Sequence, residues 1–487
     1  MADDPVVELA RLTSRLPAGT EVIGDDGRSV TSVEIDSRAV RPGALFVAVR
    51  GTRSDGHAFV SQAIANGAVA VVVETATVQG ATVVKVSDSR RALSTLAAAF
   101  YNDPSQTLDV VGITGTNGKT TTVQMVRAIF DRAGKPCGTI GTVGAAFGQR
   151  SWTLANTTPL PPELHGLLAS MRDAGATAVA MEVSSHALAL DRVDDVRFRV
   201  AALTNVTRDH LDFHATLEAY AAAKRRLFGM VQTCVLNLDD AYGARWAAEL
   251  TARGVAVIGY GEKNAAARLV PLGVTVTPDG SRFTLDGRPY ELRLPGRFNV
   301  SNALAAIGIA QALGVDDAAI AQGLAQLERV PGRMERLREN GVDVIVDYAH
   351  TPDALENALR SLRETVAGEL FVVFGCGGDR DRGKRPEMGA AAARFADRLF
   401  VTSDNPRTED PAAIAEEIVA GIGGRAHVVE LDRRRAIERA VASAREGDAV
   451  LVAGKGHETY QIVGDRVLDF DDAAVARGAL QLRGAVR

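Results

Sequence analysis

A glycine-containing loop separates the apolar run at residues 110–114 from a helical pattern, and its residue types could bind phosphate. Glycines let backbone N–H groups approach phosphate oxygens closely, and the N-terminus of the following helix adds partial positive charge. Lys119 would reach the terminal phosphates of a nucleotide, and the hydroxyl of Thr120 would ligate Mg²⁺. Ile113 stands where the general phosphate-loop pattern has Gly, and the alternative is a polar turn that binds nothing. The order of strand, loop and helix predicts phosphate binding by Gly115, Thr116, Asn117, Gly118, Lys119, Thr120 and Thr121.

Acidic and imidazole side chains follow two further predicted strands. Glu182 stands where the apolar run at 178–183 ends, and residues 209–214 contain two Asp and two His, including His210. Taken singly, such residues are more often helix caps or solvated side chains. Because ligands of open α/β sheets gather beyond the carboxyl ends of strands, the group predicts a second divalent-metal site with oxygen and imidazole ligands. Lys224 follows on an alanine-rich helix, but an unmodified ammonium has no lone pair and cannot ligate a metal.

Three consecutive blocks of alternating strands and helices would position these residues. Short β-branched runs in residues 1–103 favour a small α/β unit, and the turn cluster at 102–105 predicts a linker. Residues 104–331 alternate apolar strands with alanine-rich helices, which predicts a mostly parallel sheet with helices on both faces. Residues 332–487, after the turn Val330-Pro331-Gly332, repeat the alternation. The predicted strands are 32–35, 45–49, 68–73, 82–86, 110–114, 178–183, 200–205, 233–237, 342–347, 370–374, 398–402 and 449–453, with helices at 92–100 and at 302–313 before Gly314.

The composition is that of an ordinary globular protein. A length of 487 residues suggests about three domains of roughly 150 residues. A net charge of −5 gives no sign of a nucleic-acid or membrane surface, and the most apolar stretch, 68–73, is far below the roughly 20 residues of a membrane helix. The acidic N-terminus lacks the order of a secretory signal. Since Cys137, Cys234 and Cys376 are scattered without CxxC spacing, we expect no zinc cluster, no disulfide framework and a reducing, cytoplasmic compartment.

Four segments resemble the Mur ligase family in their order along the chain. They are GTNGKTT at 115–121, MEVSSH at 181–186, TNVTRDHLDFH at 204–214 and GRFNVSN at 296–302. The resemblance covers nearly the whole chain and implies ATP-dependent amide-bond formation, although folylpolyglutamate synthetases share this core. It also implies an α/β fold of three domains. These are a small UDP-precursor-binding domain over 1–103, a central P-loop ATPase domain over 104–331 and a Rossmann-like, amino-acid-binding domain over 332–487.

The resemblance gives roles to residues around the nucleotide. Lys224 matches the family's carbamylated lysine, whose added CO₂ makes a carboxylate-like metal ligand. Glu182 and His210 match its partners around a second Mg²⁺, while Thr120 serves the first. The implied nucleotide contacts are Asn302 to adenine, Arg333 to the γ-phosphate and Asp347 to the ribose. The implied catalytic set is Lys119, Lys224, His210, Glu182 and Arg333.

The N-terminal block resembles the family's nucleotide-precursor site. Residues 35–38 and 51–57 resemble uridine-binding segments, and residues 156–159 resemble a contact with the muramoyl-dipeptide. Leu190 stands where the family pattern has Gln. The implied contacts are Ile35, Ser37, Arg53, Ser54, Asp55, Asn156, Thr157, Thr158, Ser184 and Arg192.

A C-terminal Asp-Asn-Pro-Arg segment, residues 404–407, resembles the segment with which the family binds diaminopimelate. Lysine-adding members tend to lack its Arg. The chemistry agrees, because diaminopimelate has a second carboxylate that lysine lacks and a guanidinium binds a carboxylate bidentately. The alternative is a turn with a surface Arg. The implied contacts are Arg380, Asp404, Asn405, Pro406, Arg407, Gly454 and Glu458, the last suited to the distal ammonium.

The reaction that the resemblance implies is addition of meso-diaminopimelate to UDP-N-acetylmuramoyl-L-alanyl-D-glutamate through an acyl phosphate, in peptidoglycan precursor synthesis. It would use ATP, two Mg²⁺ and CO₂ as the lysine carbamate. We expect small-molecule substrates as the only partners, with no nucleic acid and no membrane, and a monomer. The alternatives are a sibling that adds L-lysine, a folylpolyglutamate synthetase-like ligase and a P-loop ATPase that switches a binding surface.

Overall fold

The computed structural model describes residues 5–51, 54–75, 78–339 and 341–485. The strands are β1 (Val7–Glu8), β2 (Glu21–Ile23), β3 (Ser29–Val30), β4 (Ser32–Glu34), β5 (Ala44–Val47), β6 (Ala70–Val73), β7 (Thr82–Lys85), β8 (Asp109–Thr114), β9 (Cys137–Gly141), β10 (Gly144–Phe147), β11 (Arg150–Trp152), β12 (Ala178–Glu182), β13 (Phe198–Leu203), β14 (Thr233–Asn237), β15 (Ala256–Tyr260), β16 (Leu272–Thr277), β17 (Gly280–Leu285), β18 (Arg288–Leu292), β19 (Glu335–Glu339), β20 (Val342–Asp347), β21 (Leu370–Phe374), β22 (Arg398–Val401), β23 (His427–Val429), β24 (Ala449–Ala453), β25 (Tyr460–Val463) and β26 (Arg466–Asp469).

The α-helices are α1 (Leu9–Thr13), α2 (Val60–Ala65), α3 (Ser89–Phe100), α4 (Lys119–Arg132), α5 (Pro161–Asp173), α6 (Ser185–Ala189), α7 (Leu211–His214), α8 (Leu217–Arg225), α9 (Ala241–Ala252), α10 (Phe298–Ala312), α11 (Asp317–Gln326), α12 (Pro352–Arg363), α13 (Lys384–Phe395), α14 (Pro411–Ile422), α15 (Arg433–Ser443) and α16 (Asp472–Ala485). Short 3₁₀ helices lie at Gly56–Phe59, Pro104–Gln106 and Arg226–Gly229. Within the described ranges, no helix is both long enough and apolar enough to cross a membrane.

The described residues form two compact units, of which the first contains those of Met1–Ile113, Gly134–Ala201 and Ala223–Gln232. One sheet of this unit has the order β2-β7-β6-β5-β4, in which β4 to β7 are parallel and β2 is antiparallel to β7. In a second sheet, the strands follow the order β11-β10-β9-β12-β8-β13, and β1 pairs with β3. Strand β12 is parallel to both β9 and β8, and Glu182 aligns with Ile113. The carboxyl ends of β8 and β12 therefore lie side by side.

The second unit contains the described residues of Thr114–Ala133, Ala202–Ala222 and Thr233–Arg487. It has the parallel pair β14-β15, the antiparallel sheet β16-β17-β18 and a sheet of order β19-β20-β24-β21-β22-β23. In the last sheet only the edge strand β19 is antiparallel to its neighbour. Strand β24 is buried on both faces, since Leu451 enters one apolar cluster and Val450 and Val452 enter the other. This two-sided burial leaves the strand ends as the place for polar residues.

Short polar residues start the helices that follow these strands. At α12, the Thr351 hydroxyl accepts the N–H of Ala354, and Pro352 occupies the first turn. Asp410 and Pro411 do the same for α14. The positions where these helices begin are thus determined by residues adjacent in sequence.

The predicted α/β fold with mostly parallel sheets is confirmed. Four predicted strands have the observed bounds (β14, β20, β21 and β24), and the others differ by a few residues. Helix α10 begins four residues before its predicted start, and Gly314 has φ +68° just beyond its end. The prediction for residues 104–331 missed the antiparallel strands β16 to β18. Their alternating exposed residues differ from the continuous apolar runs that indicate parallel strands.

Candidate functional site

The phosphate loop begins where β8 ends, and α4 begins within it at Lys119. The backbone is left-handed at Gly115 (φ +148°) and Gly118 (φ +87°). A Cβ at Gly115 would lie 1.8 Å from Thr204 Oγ1, and one at Gly118 would lie 2.3 Å from Oδ1 of Asn302, which is buried on α10. Both positions therefore require glycine, and the tight turn they permit is the conformation that phosphate binding needs.

Lys119 and Thr120 supply the ammonium and hydroxyl groups of the loop. The Lys119 ammonium donates to the carbonyl oxygens of Gly115 and Thr116 at 2.9 and 2.8 Å. Arg333 Nη2 donates to Thr120 Oγ1 at 2.9 Å. The structure thus brings a predicted guanidinium to the predicted loop, and the two cations favour a polyphosphate ligand.

Arg333 is oriented by its neighbours. Its Cζ lies 4.3 Å from the ring centroid of Tyr348. The carboxylate oxygens of buried Asp347 accept the N–H groups of Met334 and Ala349 at 2.7 and 2.8 Å. Burial raises the pKa of Asp347, while Arg333 and these two N–H groups oppose the rise. Asp347 therefore holds the turn that carries Arg333.

Asp353 is a residue that the sequence analysis missed. Its Oδ2 accepts bonds from Asn117 Nδ2 at 2.8 Å and Thr207 Oγ1 at 3.4 Å. Burial raises the pKa of Asp353. The same loop is held from the other side by Asn205, whose Oδ1 accepts the N–H of Asn117 at 2.9 Å. Asp353 follows Thr351-Pro352, so in sequence it reads only as part of a helix start.

Asp209 is a largely buried carboxylate near the loop. Burial works against its charge, but His210, His350, Lys384 and Lys119 outweigh that effect and hold the pKa of Asp209 at about 2. Lys384 Nζ donates to the carbonyl oxygen of His350 at 2.9 Å. Asp209 therefore lies within electrostatic reach of Lys119 and of basic groups from residues 332–487. In the sequence, Asp209 belongs to the acidic and imidazole cluster of residues 209–214 that predicts a metal site.

The predicted metal-ligand residues belong to different units. In the first unit, Glu182 ends β12 and its oxygens accept bonds from Thr142 N at 2.8 Å and Thr142 Oγ1 at 3.1 Å. Lys224 is buried on α8, with 1% of its surface exposed. In the second unit, His210 has φ +54° and its Nε2 lies 3.3 Å from Asp209 Oδ2. No three His, Cys, Asp or Glu side chains of the described residues are spaced to hold a metal ion. The grouping of Glu182, His210 and Lys224 stays a prediction.

A cavity of about 640 Å³ in the first unit contains several predicted contact residues. Burial and the nearby Arg90 lower the pKa of Arg192, and both of these arginines line the cavity. Arg192 Nε has no hydrogen-bond partner among the described residues. Two like charges favour an anionic ligand such as a diphosphate. The polar and charged lining includes Asp36, Ser37, Arg38, Ser54, Gln62, Arg90 and Arg192, and the apolar lining includes Ile35 and Leu190.

Thr158 connects this cavity to the end of β12. Its hydroxyl donates to the Glu182 carbonyl at 2.9 Å and accepts the N–H of Ser184 at 3.0 Å. Arg192 Nη1 donates to the Thr158 carbonyl at 3.0 Å. Thr157 Oγ1 lies 3.2 Å from Thr142 Oγ1. The structure therefore brings the predicted residues Thr158, Ser184 and Arg192 together.

The predicted contacts Ser37, Asp55 and Asn156 lie in loops. Ser37 Oγ donates to Gln62 Oε1 at 2.9 Å. Asp55 caps the 3₁₀ helix Gly56–Phe59 by accepting the N–H of His57. Asn156 is half-buried between β11 and α5. Arg53, also predicted, lies outside the described residues.

In the second unit, the Asp-Asn-Pro-Arg loop follows β22 and is held by β25. The N–H of Arg407 donates to the Ile462 carbonyl at 3.1 Å, and the N–H of Ile462 donates to Asn405 Oδ1 at 2.9 Å. Gln461 Nε2 donates to the Asp404 carbonyl at 2.7 Å. Arg407 itself has φ +52°. A strand that sequence analysis did not predict thus fixes the predicted loop.

The loop after β21, which carries the exposed Arg380, packs on the same segment. The N–H of Gly378 donates to the Asn405 carbonyl at 2.9 Å, and Arg407 Nη1 donates to the Gly378 carbonyl at 2.8 Å. A Cβ at Gly378 would lie 1.9 Å from the Pro406 carbonyl oxygen. The structure therefore brings the two predicted guanidinium residues onto adjacent loops.

Gly454 and Glu458 follow β24 and reach the same loop. A Cβ at Gly454, where φ is +121°, would lie 2.9 Å from Asp404 Oδ2. Glu458 Oε2 accepts bonds from Asn405 Nδ2 at 3.0 Å and Lys455 Nζ at 3.2 Å. Arranged in this way, two carboxylates and an ammonium can recognise a charged amino acid.

Three family profiles match successive parts of the chain. The Mur ligase family catalytic domain matches residues 29–101, the Mur ligase middle domain matches 113–310, and the Mur ligase glutamate ligase domain matches 332–456. Together they cover the phosphate loop, the residues that line the cavity and the Asp-Asn-Pro-Arg loop.

Full-length relatives agree with these matches. The chain is 45% identical to the UDP-N-acetylmuramoyl-L-alanyl-D-glutamate–2,6-diaminopimelate ligase of Geobacillus thermodenitrificans, over 98% of this chain and 100% of that one. It is 47% identical to the enzyme of the same name from Thermosynechococcus vestitus, over 94% of each chain. A solved structure of a ligase with this name superposes with a TM-score of 0.69 at 33% identity, covering 99% of this chain and 100% of that one.

Proposed function

Since the chain belongs to the Mur ligase family, we propose that it adds meso-diaminopimelate to UDP-N-acetylmuramoyl-L-alanyl-D-glutamate in peptidoglycan precursor synthesis. The enzyme is an ATP-dependent ligase that forms an amide bond. The observation that carries the proposal is full-length similarity to ligases named for this substrate and this amino acid. The Asp-Asn-Pro-Arg loop supports the choice of amino acid, because Arg407 and Arg380 supply guanidinium groups for its second carboxylate.

The reaction has two bond-forming steps. The γ-carboxylate oxygen of the D-glutamate residue attacks the γ-phosphorus of ATP. The bond between this phosphorus and the oxygen that bridges it to the β-phosphate breaks. An acyl phosphate forms and ADP is released. The neutral amine of diaminopimelate then attacks the acyl carbon, phosphate leaves, and the new amide nitrogen loses its proton to solvent. Lys119 and Arg333 neutralise charge on the phosphoryl group during the first step.

ATP is proposed to bind the phosphate loop, with Asn302 at adenine and Asp347 near the ribose. Mg²⁺ would have Thr120 at one site and Glu182, His210 and carbamylated Lys224 at another. The donor set fits hard divalent cations, since the Glu182 carboxylate is oriented by Thr142 and the Thr120 hydroxyl lies at a helix start. The bound metal would neutralise phosphate charge.

The nucleotide precursor is proposed to occupy the cavity of the first unit. Arg192 and Arg90 suit its diphosphate, and Ile35, Ser37, Arg53, Ser54 and Asp55 would contact the uridine side. Thr157, Thr158, Ser184 and Asn156 would contact the muramoyl-dipeptide. The proximity of Thr158, Ser184 and Arg192 supports this assignment.

Three domains, 1–103, 104–331 and 332–487, are proposed to act in one monomeric chain. Two profile limits lie near the proposed boundaries, since the first profile ends at residue 101 and the third begins at residue 332. We place the enzyme in the cytoplasm. Its three cysteines are buried and form no disulfide among the described residues, as in proteins of reducing compartments.

Phosphate release from ATP tests the proposal. The expected result is release that requires both UDP-N-acetylmuramoyl-L-alanyl-D-glutamate and meso-diaminopimelate. Release with L-lysine in place of diaminopimelate would identify the lysine-adding sibling, and release without either substrate would identify an ATPase switch. Arg407→Ala should raise the KM for diaminopimelate by about 10²-fold, since a lost charged contact leaves the site's partner groups unpaired. The KM for ATP should not change, and an unchanged KM for diaminopimelate would contradict the assignment.

A further inference from the structure

Lys455 is a fully buried lysine beside the proposed amino-acid site. None of its side-chain surface is exposed. Its Nζ lies 3.1 Å from Asn405 Oδ1, 3.2 Å from Glu458 Oε2 and 3.7 Å from Asp404 Oδ1. The ammonium also lies 5.4 Å from the ring centroid of Tyr460. Its neighbours therefore include two carboxylates and the face of an aromatic ring.

The carboxylates keep oxygens available for a ligand. Asn405 and Lys455 both donate to Oε2 of Glu458, and neither of these two side chains donates to Oε1. Asp404 Oδ1 is buried and has no hydrogen-bond partner among the described residues. A buried acceptor without a donor is unfavourable, so a ligand that donates hydrogen bonds is favoured here.

The formal charges of the group select the kind of ligand. Asp404 and Glu458 contribute two negative charges and Lys455 contributes one positive charge, which leaves one negative charge. The nearby buried Arg433 is paired with Asp472 at 2.7 Å, so this pair adds no net charge. A single uncompensated charge in a largely buried site is unfavourable, and one ligand ammonium cancels it. Without Lys455, the two carboxylates and one ligand ammonium would together keep one uncompensated negative charge.

We propose that Lys455 is a specificity-determining positioning residue, which cancels one carboxylate so that the site accepts an amino acid with one ammonium at its far end. It orients Glu458 and Asn405 and leaves one negative charge for that ammonium. The inference rests on the proposed function, since it concerns how diaminopimelate is recognised.

The test compares meso-diaminopimelate with 2-aminopimelate, which keeps both carboxylates and one amine but lacks the distal ammonium. The variants are Lys455→Met, Glu458→Gln and the double variant, assayed by phosphate release with the nucleotide precursor and ATP. Lys455→Met should raise the KM for diaminopimelate by at least about tenfold with an unchanged KM for ATP. Glu458→Gln makes the formal charge zero and should reduce the preference for diaminopimelate over 2-aminopimelate by at least about tenfold.

The double variant distinguishes an electrostatic role of Lys455 from a purely structural one. It again carries one negative charge, so its preference for diaminopimelate should exceed that of Glu458→Gln. A purely structural lysine predicts the reverse, with the double variant less selective than either single variant. That result would overturn the proposal, as would unchanged KM and preference in Lys455→Met.

Two controls keep the outcome interpretable. Thermal unfolding checks each variant, and Lys455→Gln, which is polar but uncharged, replaces Lys455→Met if that protein does not fold. Lys455→Gln should show the same loss, and wild-type behaviour would overturn the role of charge. If the wild-type enzyme does not use diaminopimelate, the proposed function itself fails. If it does and the Lys455 variants are unchanged, only this inference fails.

Discussion

At the scale of single residues, buried Lys224 is the side chain on which the proposed second metal site depends. Its surface is 1% exposed on α8, and an ammonium there is costly unless it is paired or chemically modified. Carbamylation would turn it into an anion that can ligate a metal. Lys224→Ala should therefore lower the rate of phosphate release by about 10²–10³-fold, the size expected for one electrostatic group of an active site. Added acetate or propionate should restore part of that rate.

The matched control is an exposed lysine. Lys263→Ala removes a side chain at the surface and should leave the rate unchanged, with or without added carboxylates. Full activity of Lys224→Ala would contradict the carbamate assignment.

At the scale of elements, the loops after β21 and β22 depend on close backbone approach. Gly378→Ala would place a methyl group 1.9 Å from the Pro406 carbonyl oxygen, so the two loops must separate. We expect the KM for diaminopimelate to rise by at least about tenfold, since displacement of positioning groups is costly even when they remain present. Gly478→Ala is the control, because a Cβ at that position on α16 meets nothing within 4 Å. Equal KM values for the two variants would contradict the role of Gly378.

Helix α5 buries an imidazole that makes the fold sensitive to acid. His165 is fully buried, and neither ring nitrogen has a hydrogen-bond partner among the described residues. Burial lowers the pKa of His165 from 6.5 to about 4. Between these values the unfolded chain binds a proton that the folded protein does not, so stability falls as the pH falls.

The size of this acid effect can be measured by urea unfolding. From about pH 7.5 to about pH 5, His165 should lower the free energy of unfolding by about 2 kcal/mol. His165→Leu should reduce the pH dependence by that amount. An identical pH dependence in wild type and variant would show that other groups cause it.

At the scale of the whole molecule, polar contacts join residues 332–487 to residues 104–331. Arg208 Nη1 donates to Glu387 Oε1 at 2.6 Å, and Asp353 accepts from Asn117. If residues 332–487 move as a domain, the double variant Arg208→Ala/Asp353→Ala should have a larger radius of gyration by small-angle scattering. Its kcat should also fall, because lid and domain positions gate such reactions.

A control pair removes similar charges elsewhere. Arg282 and Glu291 form an exposed ion pair between β17 and β18, and such pairs contribute little to stability. Arg282→Ala/Glu291→Ala should leave the scattering profile unchanged. A profile of Arg208→Ala/Asp353→Ala that matches wild type would contradict movement of residues 332–487.

The features that could be predicted from sequence are those encoded by neighbours in the chain. The phosphate loop needs glycines, a lysine and a helix start within seven residues, and all of them are adjacent in sequence. Strand β24 is an unbroken apolar run, because it is buried on both faces. The alternating pattern of β16 gave no such signal and was missed.

Only the tertiary structure decided which distant side chains meet. Asp353 bonds to Asn117 across 236 positions of sequence, and Lys455 bonds to Asn405 across 50. Neither contact has a local pattern, because hydrogen-bond partners of buried polar groups are chosen by how the elements pack. The sequence by itself therefore determined a phosphate-binding α/β protein. The packing of β24 and β25 against the Asp-Asn-Pro-Arg loop decided the charge that its proposed amino-acid site presents.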